Sequence, residues 1–145
     1  MAFPSLSIGD LTAKMPIVQG GMGVGISLSG LASAVANQGG IGVIAGAMIG
    51  MKEPDVAKNP IEANLRALRQ ELTKAREKTQ GIIGVNIMVA LTTFSQMVRT
   101  AIENRADIIF SGAGLPLEMP KHLLQTCEEK KEEFKTKLVP IVSSA

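Results

Sequence analysis

Small, amide and hydroxyl residues follow five apolar runs of the sequence, and their types limit the chemistry that they can do. In chain order these segments are Gln19–Gly23, Gly46–Met48, Asn86–Met88, Ser111–Gly114 and Ser143–Ala145. None of them contains Lys, Arg, Asp, Glu, His or Cys. Acid–base catalysis and metal binding require carboxylates, imidazoles or thiolates. The segments therefore suit contact with a neutral group better than proton transfer or metal binding.

The segment from Gly20 to Gly25 contains four glycines, which allow a flat ring to approach the backbone closely. Backbone N–H groups and the carboxamide of Asn86 can hydrogen-bond the edge of such a ring, and Met22 can pack on its face. A flavin has these properties. The residues alone leave two structural alternatives: the glycines form only a tight turn, and Asn86 only ties neighbouring strands together.

The five segments follow or complete short runs rich in Ile and Val. Runs that are apolar at successive positions are typical of strands buried on both faces, as in a parallel sheet. The sequence predicts strands at Ile17–Gln19, Ile41–Ala45, Ile82–Met88, Ile108–Ser111 and Leu138–Val142.

Helical periodicity and capping residues occupy the stretches between these strands. Asn59 is predicted to be an N-cap, with Pro60 at the first helical position and Glu62 as the capping-box partner. Another helix is expected to begin at Thr93, with Gln96 in the same role. The two remaining helices are expected at 29–39 and 120–134.

Strands and helices alternate strictly, which predicts an α/β fold with a parallel sheet. Two closures are compatible with this order, an open doubly wound sheet and a (β/α)8 barrel. The string Gly40–Ala45 matches the glycine pattern of dinucleotide-binding folds, but it lies inside a predicted strand and not at a strand-to-helix turn. A nicotinamide site of that type is therefore not favoured.

Composition argues against two classes of partner. The 145 residues carry a net charge of +2 and include four Phe, no Trp and no Tyr, so neither charge nor aromatic residues indicate nucleic-acid binding. The longest uncharged apolar run, Gly39–Met51, is shorter than the roughly 20 residues of a membrane-spanning helix. The N-terminal sequence does not resemble a secretion signal. We expect no nucleic-acid or membrane partner.

The single cysteine and the single histidine are both expected to be structural. Cys127 has no partner for an internal disulfide, which is compatible with a reducing, cytoplasmic location. It is expected to share a core-facing side of its helix with Leu123 and Leu124. His122 is expected on the surface of the same helix, without a catalytic role.

Five motifs of the sequence resemble the nitronate monooxygenase family, formerly called 2-nitropropane dioxygenases. They are PIVQGGMG at 16–23, GGIGVIAG at 39–46, GVNIM at 84–88, FSGAG at 110–114 and VPIVSSA at 139–145. They occur in family order along nearly the whole chain. The sequence is also similar to the FMN-dependent enoyl-acyl-carrier-protein reductases, which share most of these motifs.

The resemblance implies an FMN-dependent TIM barrel that acts on a small-molecule substrate. It places Gly21, Met22 and Gly23 along the flavin ring and Asn86 in hydrogen bonding to it, with Gly112 and Ser143 as further neighbours. No residue of this chain takes the place of the family's catalytic histidine, which lies in a loop after a sixth strand. The family's phosphate-binding loops follow strands seven and eight.

The whole chain is therefore expected to be the N-terminal portion, with five strands, of a single FMN-binding barrel domain. An eight-unit barrel takes about 250 residues. The isolated chain is expected to be inactive, and to pair with the C-terminal half of a barrel, self-associate or rearrange. Nitronate oxidation is the first expectation for function. Enoyl-thioester reduction and a non-catalytic half-barrel binding module are the alternatives.

Overall fold

The structure is a computed structural model that describes residues 3–144. Within those residues it contains six strands, four α-helices and a 3₁₀ turn at Ile49–Lys52. In chain order the elements are β1 (Leu6–Ile8), β2 (Leu11–Ala13), α1 (Ser29–Asn37), β3 (Ile41–Ala45), α2 (Pro60–Lys78), β4 (Ile82–Met88), α3 (Phe94–Glu103), β5 (Ile108–Gly112), α4 (Met119–Lys130) and β6 (Lys137–Pro140).

Strands β3 to β6 form a parallel sheet in chain order, and the helices cover one of its faces. Ile44, Val85 and Ile109 lie side by side on this face and are fully buried. They pack in one core with apolar residues of all four helices, including the buried Leu68 and Leu72 of α2. The helix layer is therefore built on a single side of the sheet.

The opposite face is covered at its amino-terminal end by a β-hairpin formed by β1 and β2. Gly9, in the left-handed region with φ of 61°, lies in the turn between these strands. Ala13 of the hairpin packs with Ile41, Val43 and Ile108 of the sheet in a second buried cluster. A doubly wound sheet has helices on both faces. One helix-covered face and one inner face are the features of a (β/α)8 barrel.

The hairpin was not predicted, and the predicted first strand at Ile17–Gln19 is shorter than expected. The segment makes a single parallel bridge, from Val18 to Ile41 of β3. Leu6 and Ile8 of β1 lie in the inner cluster with Leu11 of β2, so alternate positions of the hairpin are used for packing. The remaining predicted strands are observed, although β6 covers Lys137–Pro140 and not Leu138–Val142.

The predicted helices are observed, and Asn59 and Thr93 occupy the predicted N-cap positions of α2 and α3, but the expected capping bonds are not formed. Neither Asn59 nor Thr93 makes a side-chain capping hydrogen bond. Glu62 forms an ion pair instead with Arg69, about two turns further along α2. Helix α4 ends at Lys130 and not near residue 134, because Lys131 adopts a left-handed conformation with φ of 53°.

No helix within residues 3–144 has the length and apolar character that crossing a membrane requires.

Helix α1 packs against β3 so closely that only glycine fits at position 42. A Cβ placed at Gly42 would lie 1.9 Å from the backbone oxygen of Ala32 in α1. A contact this short forces the helix and the strand apart. The close approach of the two backbones requires glycine here. A special backbone conformation does not, because the φ of Gly42 is not in the left-handed region.

We expect Gly42→Ala to lower the free energy of unfolding by about 1–3 kcal/mol or more, because the added methyl group overpacks the contact between α1 and β3. Gly30→Ala is the matched control, because it replaces a glycine of helix α1 at a position where an added Cβ meets nothing within 4 Å. It should be neutral or stabilising by up to about 1 kcal/mol. Urea denaturation of both variants tests this, and equal effects would contradict the packing.

Candidate active site

The carboxyl ends of the parallel strands meet at one edge of the sheet, which is where α/β enzymes place their sites. Asn86 lies near this edge, in β4. The neighbouring Val85 and Ile87 point into the helix-side core. Because side chains alternate along a strand, Asn86 points to the inner face. It is half-buried there.

The backbone of Gly21 lies directly against the side chain of Asn86. A Cβ placed at Gly21 would be 2.7 Å from Cβ of Asn86 and 3.5 Å from its Oδ1. The structure thus joins two of the residues that the sequence predicts for the site, from segments 65 positions apart. Within the described residues, the side-chain hydrogen bonds of this edge involve Gln19, Ser27 and Ser111, and none involves the carboxamide of Asn86.

The glycine loop, defined here as residues 20–27, is closed by Ser27. The hydroxyl of this buried serine accepts a hydrogen bond from the N–H of Met22 at 3.0 Å and donates one to the carbonyl of Gly20 at 3.3 Å. Its own N–H binds the carbonyl of Met22 at 2.9 Å. The N–H of Ala45 in β3 binds the carbonyl of Ser27 at 2.9 Å. Ser27 therefore fixes a glycine-rich segment that would otherwise be flexible.

The glycine loop also rests on the segment that follows β3. A Cβ at Gly23 would lie 2.9 Å from the carbonyl oxygen of Ala47, and the N–H of Val24 binds that oxygen at 3.0 Å. Val24 has φ of 54°, which is unfavourable for a β-branched residue. Strained backbone of this kind is common at ligand sites.

The other predicted site residues lie at the same edge in different settings. The side chain of Met22 is 64% exposed, beside the glycine loop. Gly112 is buried at the end of β5, in register with Met88 of β4, and a Cβ there would contact Ile141 at 3.0 Å. Ser143 is exposed and follows the end of β6.

The donors of this edge suit a flat ring with hydrogen-bond acceptors along one side. In residues 3–144, the N–H groups of Gly20, Gly21 and Gly23 have no partner within the protein. The unpaired carboxamide of Asn86 lies beside Gly21 and can both donate and accept. A flavin ring presents this alternation of acceptors and one N–H, so the residues present fit the ring. They offer nothing cationic for a phosphate group.

Sequence reasoning missed the roles of Gln19 and Ser27. The side chain of Gln19 makes two hydrogen bonds to Val43 of β3. The signal available in the sequence for these roles was a polar residue at each end of the glycine-rich segment. The sequence does not show which backbone groups those side chains bind, because the partners are set by the fold of the loop.

His122 is not the surface residue that the sequence predicted. It is half-buried on α4, with Nδ1 buried and without a hydrogen-bond partner among the described residues. Its ring meets the ring of Phe94 in α3 edge-on, with the centroids 6.4 Å apart. Burial lowers the pKa of His122 below its ordinary value, because the charged form loses hydration there.

Cys127 also differs from expectation, since it is only partly buried and the predicted apolar face is incomplete. Leu123 packs on the helix-side core, but Leu124 is 64% exposed. Helix α4 therefore carries a narrower apolar stripe than the sequence pattern indicates.

The chain belongs to the nitronate monooxygenase family, whose model matches residues 5–145. Among solved structures it is similar to FabK from Thermotoga maritima, with 29% identity, a TM-score of 0.64 and a match over 89% of this chain and 34% of FabK. The M276A mutant of the same protein matches with a TM-score of 0.63, 29% identity and coverage of 89% and 36%. The chain thus spans about a third of the length of these structures. A comparison with curated protein sequences gave no significant match.

We expect Gly21→Ala to push the glycine loop away from Asn86 and to lower the free energy of unfolding by about 1–3 kcal/mol. Gly20→Ala is the matched control, because a Cβ at Gly20 meets nothing within 4 Å. Amide chemical shifts of Asn86 should move in the first variant and stay in place in the second. Unchanged shifts in both variants would contradict the contact.

We expect stability to fall as the pH drops below about 6.5, because of His122. Its pKa is lowered in the folded state from 6.5, so the unfolded chain binds the proton more readily. The stability is complete above pH 6.5 and declines as the pH falls from there. Urea unfolding at several pH values should show this decline, and His122→Gln should flatten it. The pKa values of the Asp10 and Glu71 carboxyl groups are also lowered in the folded state. They change the stability only at pH values near or below the ordinary pKa values of 3.8 and 4.5.

Proposed function

We propose that this chain supplies the ring-binding part of an FMN-dependent oxidoreductase that oxidises alkyl nitronates. The observation that carries the proposal is the contact between Gly21 and Asn86 at the strand-end edge, inside a region matched by the nitronate monooxygenase family model. The fit of unpaired backbone N–H groups to the edge of a neutral ring supports it.

The roles proposed for the residues follow from their chemistry. The N–H groups of Gly21 and Gly23 would bind acceptors on the flavin edge, and the carboxamide of Asn86 would bind an adjacent acceptor or donor. Met22, largely exposed beside them, would pack on the ring face. Gly112 and Ser143 are proposed neighbours because Gly112 ends β5 and Ser143 follows the end of β6.

Bound FMN would supply the electron-accepting chemistry, while the protein positions the ring and excludes water. The five segments at this edge contain no side chain that exchanges protons near neutral pH. His122 does not serve, because it lies in the contact between α3 and α4 and not on the inner face. We therefore propose that the chain alone is inactive and that a proton-transferring group comes from outside the described residues.

Exposed apolar side chains lie at both lateral sides of the sheet, beside its first strand β3 and its last strand β6. They support a partner for this chain. On one side they are Ile17 and Val18, and on the other they are Leu115, Leu117, Ile141 and Val142. Open strand edges and large apolar patches are unfavourable in water. We propose that these edges bind a polypeptide that supplies further strands of the barrel, or a second copy of the chain.

Reduction of enoyl thioesters by reduced FMN is the second candidate. It is favoured by the motifs that the chain shares with the enoyl-acyl-carrier-protein reductases. An assay of the protein isolated from its native cells distinguishes the two functions. Turnover of an enoyl thioester with reduced nicotinamide, without oxygen uptake in the presence of an alkyl nitronate, would select the second candidate.

We expect lumiflavin and FMN to shift the amide resonances of Gly21, Met22 and Gly23 in the ¹⁵N-labelled chain, with similar affinity, because only the ring is bound. Asn86→Ala should weaken the binding by up to about tenfold through the loss of a hydrogen bond. The control is Asn37→Ala, an exposed asparagine at the end of α1. An absence of shifts at saturating flavin, or shifts confined to the hairpin, would contradict the proposal.

A further inference from the structure

The side chain of Gln19 forms a two-point contact with the backbone of β3. Its Oε1 accepts a hydrogen bond from the N–H of Val43 at 3.1 Å, and its Nε2 donates one to the carbonyl of Val43 at 3.0 Å. The carboxamide has the same donor and acceptor groups as a peptide bond.

This contact lies where the parallel backbone pairing between Ile17–Gln19 and β3 would continue. One step earlier the pairing is by backbone: the N–H of Ile41 binds the carbonyl of Ile17 at 2.9 Å, and the N–H of Gln19 binds the carbonyl of Ile41 at 3.0 Å. If the ladder continued, the carbonyl of Gln19 would accept from Val43 and the N–H of Gly21 would donate to Val43. The carboxamide of Gln19 makes both of those bonds instead.

The substitution has two consequences for the chain. Val43 stays fully hydrogen-bonded, so β3 loses nothing when its neighbour departs. The backbone from Gly20 onward is released from the sheet and crosses to Asn86, where the N–H of Gly21 has no partner among the described residues. A released N–H next to an unpaired carboxamide is a preorganised hydrogen-bonding pair.

We propose that Gln19 is a positioning residue for the cofactor: its carboxamide replaces a peptide group in the ladder and thereby leaves the N–H of Gly21 available to the flavin ring. The flavin part of this inference rests on the proposed function, whereas the release of the backbone does not. Ser27 then fixes the released segment by its bonds to Gly20 and Met22.

Hydrogen exchange of single amides in the flavin-free chain tests the release directly. Gln19→Met keeps the size of the side chain but removes both bonds. The amide of Val43 should then exchange about tenfold faster or more, or the backbone should close onto β3 and protect the amide of Gly21. Gln19→Glu keeps the acceptor and should restore the protection of Val43. Gln70→Ala, at an exposed position of α2, is the control and should change neither amide.

Lumiflavin titration of the same variants tests the second half of the inference. Gln19→Met should weaken binding, read from the Met22 amide shift, by about tenfold, while Gln70→Ala binds as the unaltered chain does. Unchanged exchange at both Val43 and Gly21 overturns the release. Altered exchange with unchanged flavin affinity overturns the positioning role. If the unaltered chain shows no flavin shift, the proposed function fails, and the exchange result still decides whether Gln19 releases the backbone.

Discussion

The backbone of Gly21 can rest on Asn86 only because position 21 carries no side chain, and the candidate site depends on that contact. A methyl group there would lie 2.7 Å from Cβ of Asn86. The chain must also leave the sheet between Gln19 and Gly21 to reach this position. Gln19 takes over the pairing with β3, and Ser27 closes the loop that results. Three polar side chains and one glycine thus convert a strand end into a surface of available backbone donors.

The remainder of the fold holds this surface open. All four helices lie on one face of the sheet, and the hairpin covers the other face only at the amino-terminal ends of the strands. The carboxyl-terminal half of the inner face is left to Asn86, the glycine loop and the ends of β5 and β6. The tight backbone packing at Gly42 keeps α1, which directly follows the glycine loop, in a fixed position against β3. Placement of the loop therefore depends on core packing as well as on its own hydrogen bonds.

Much of this arrangement could be predicted from the sequence, because long apolar runs and strong periodicity are local signals. Strands β3, β4 and β5 and the four helices belong to this class. The hairpin was missed although Gly9 and Asp10 separate two short alternating segments, a recognised turn signal. The predicted strand at Ile17–Gln19 is reduced to a single bridge, because an Ile-Val-Gln run does not reveal that a side chain will replace the backbone in the next step of the ladder. His122 was misplaced for a similar reason, since helix periodicity does not show how closely α3 and α4 approach.

We propose that Gly21 and Asn86 form one face of a flavin-ring site, and a crystal structure of the chain soaked with lumiflavin tests this most directly. We expect ring density at the carboxyl ends of β3 and β4, within hydrogen-bond distance of the N–H of Gly21 and the carboxamide of Asn86. A ring bound elsewhere, with the glycine loop in contact only with protein and solvent, would contradict it.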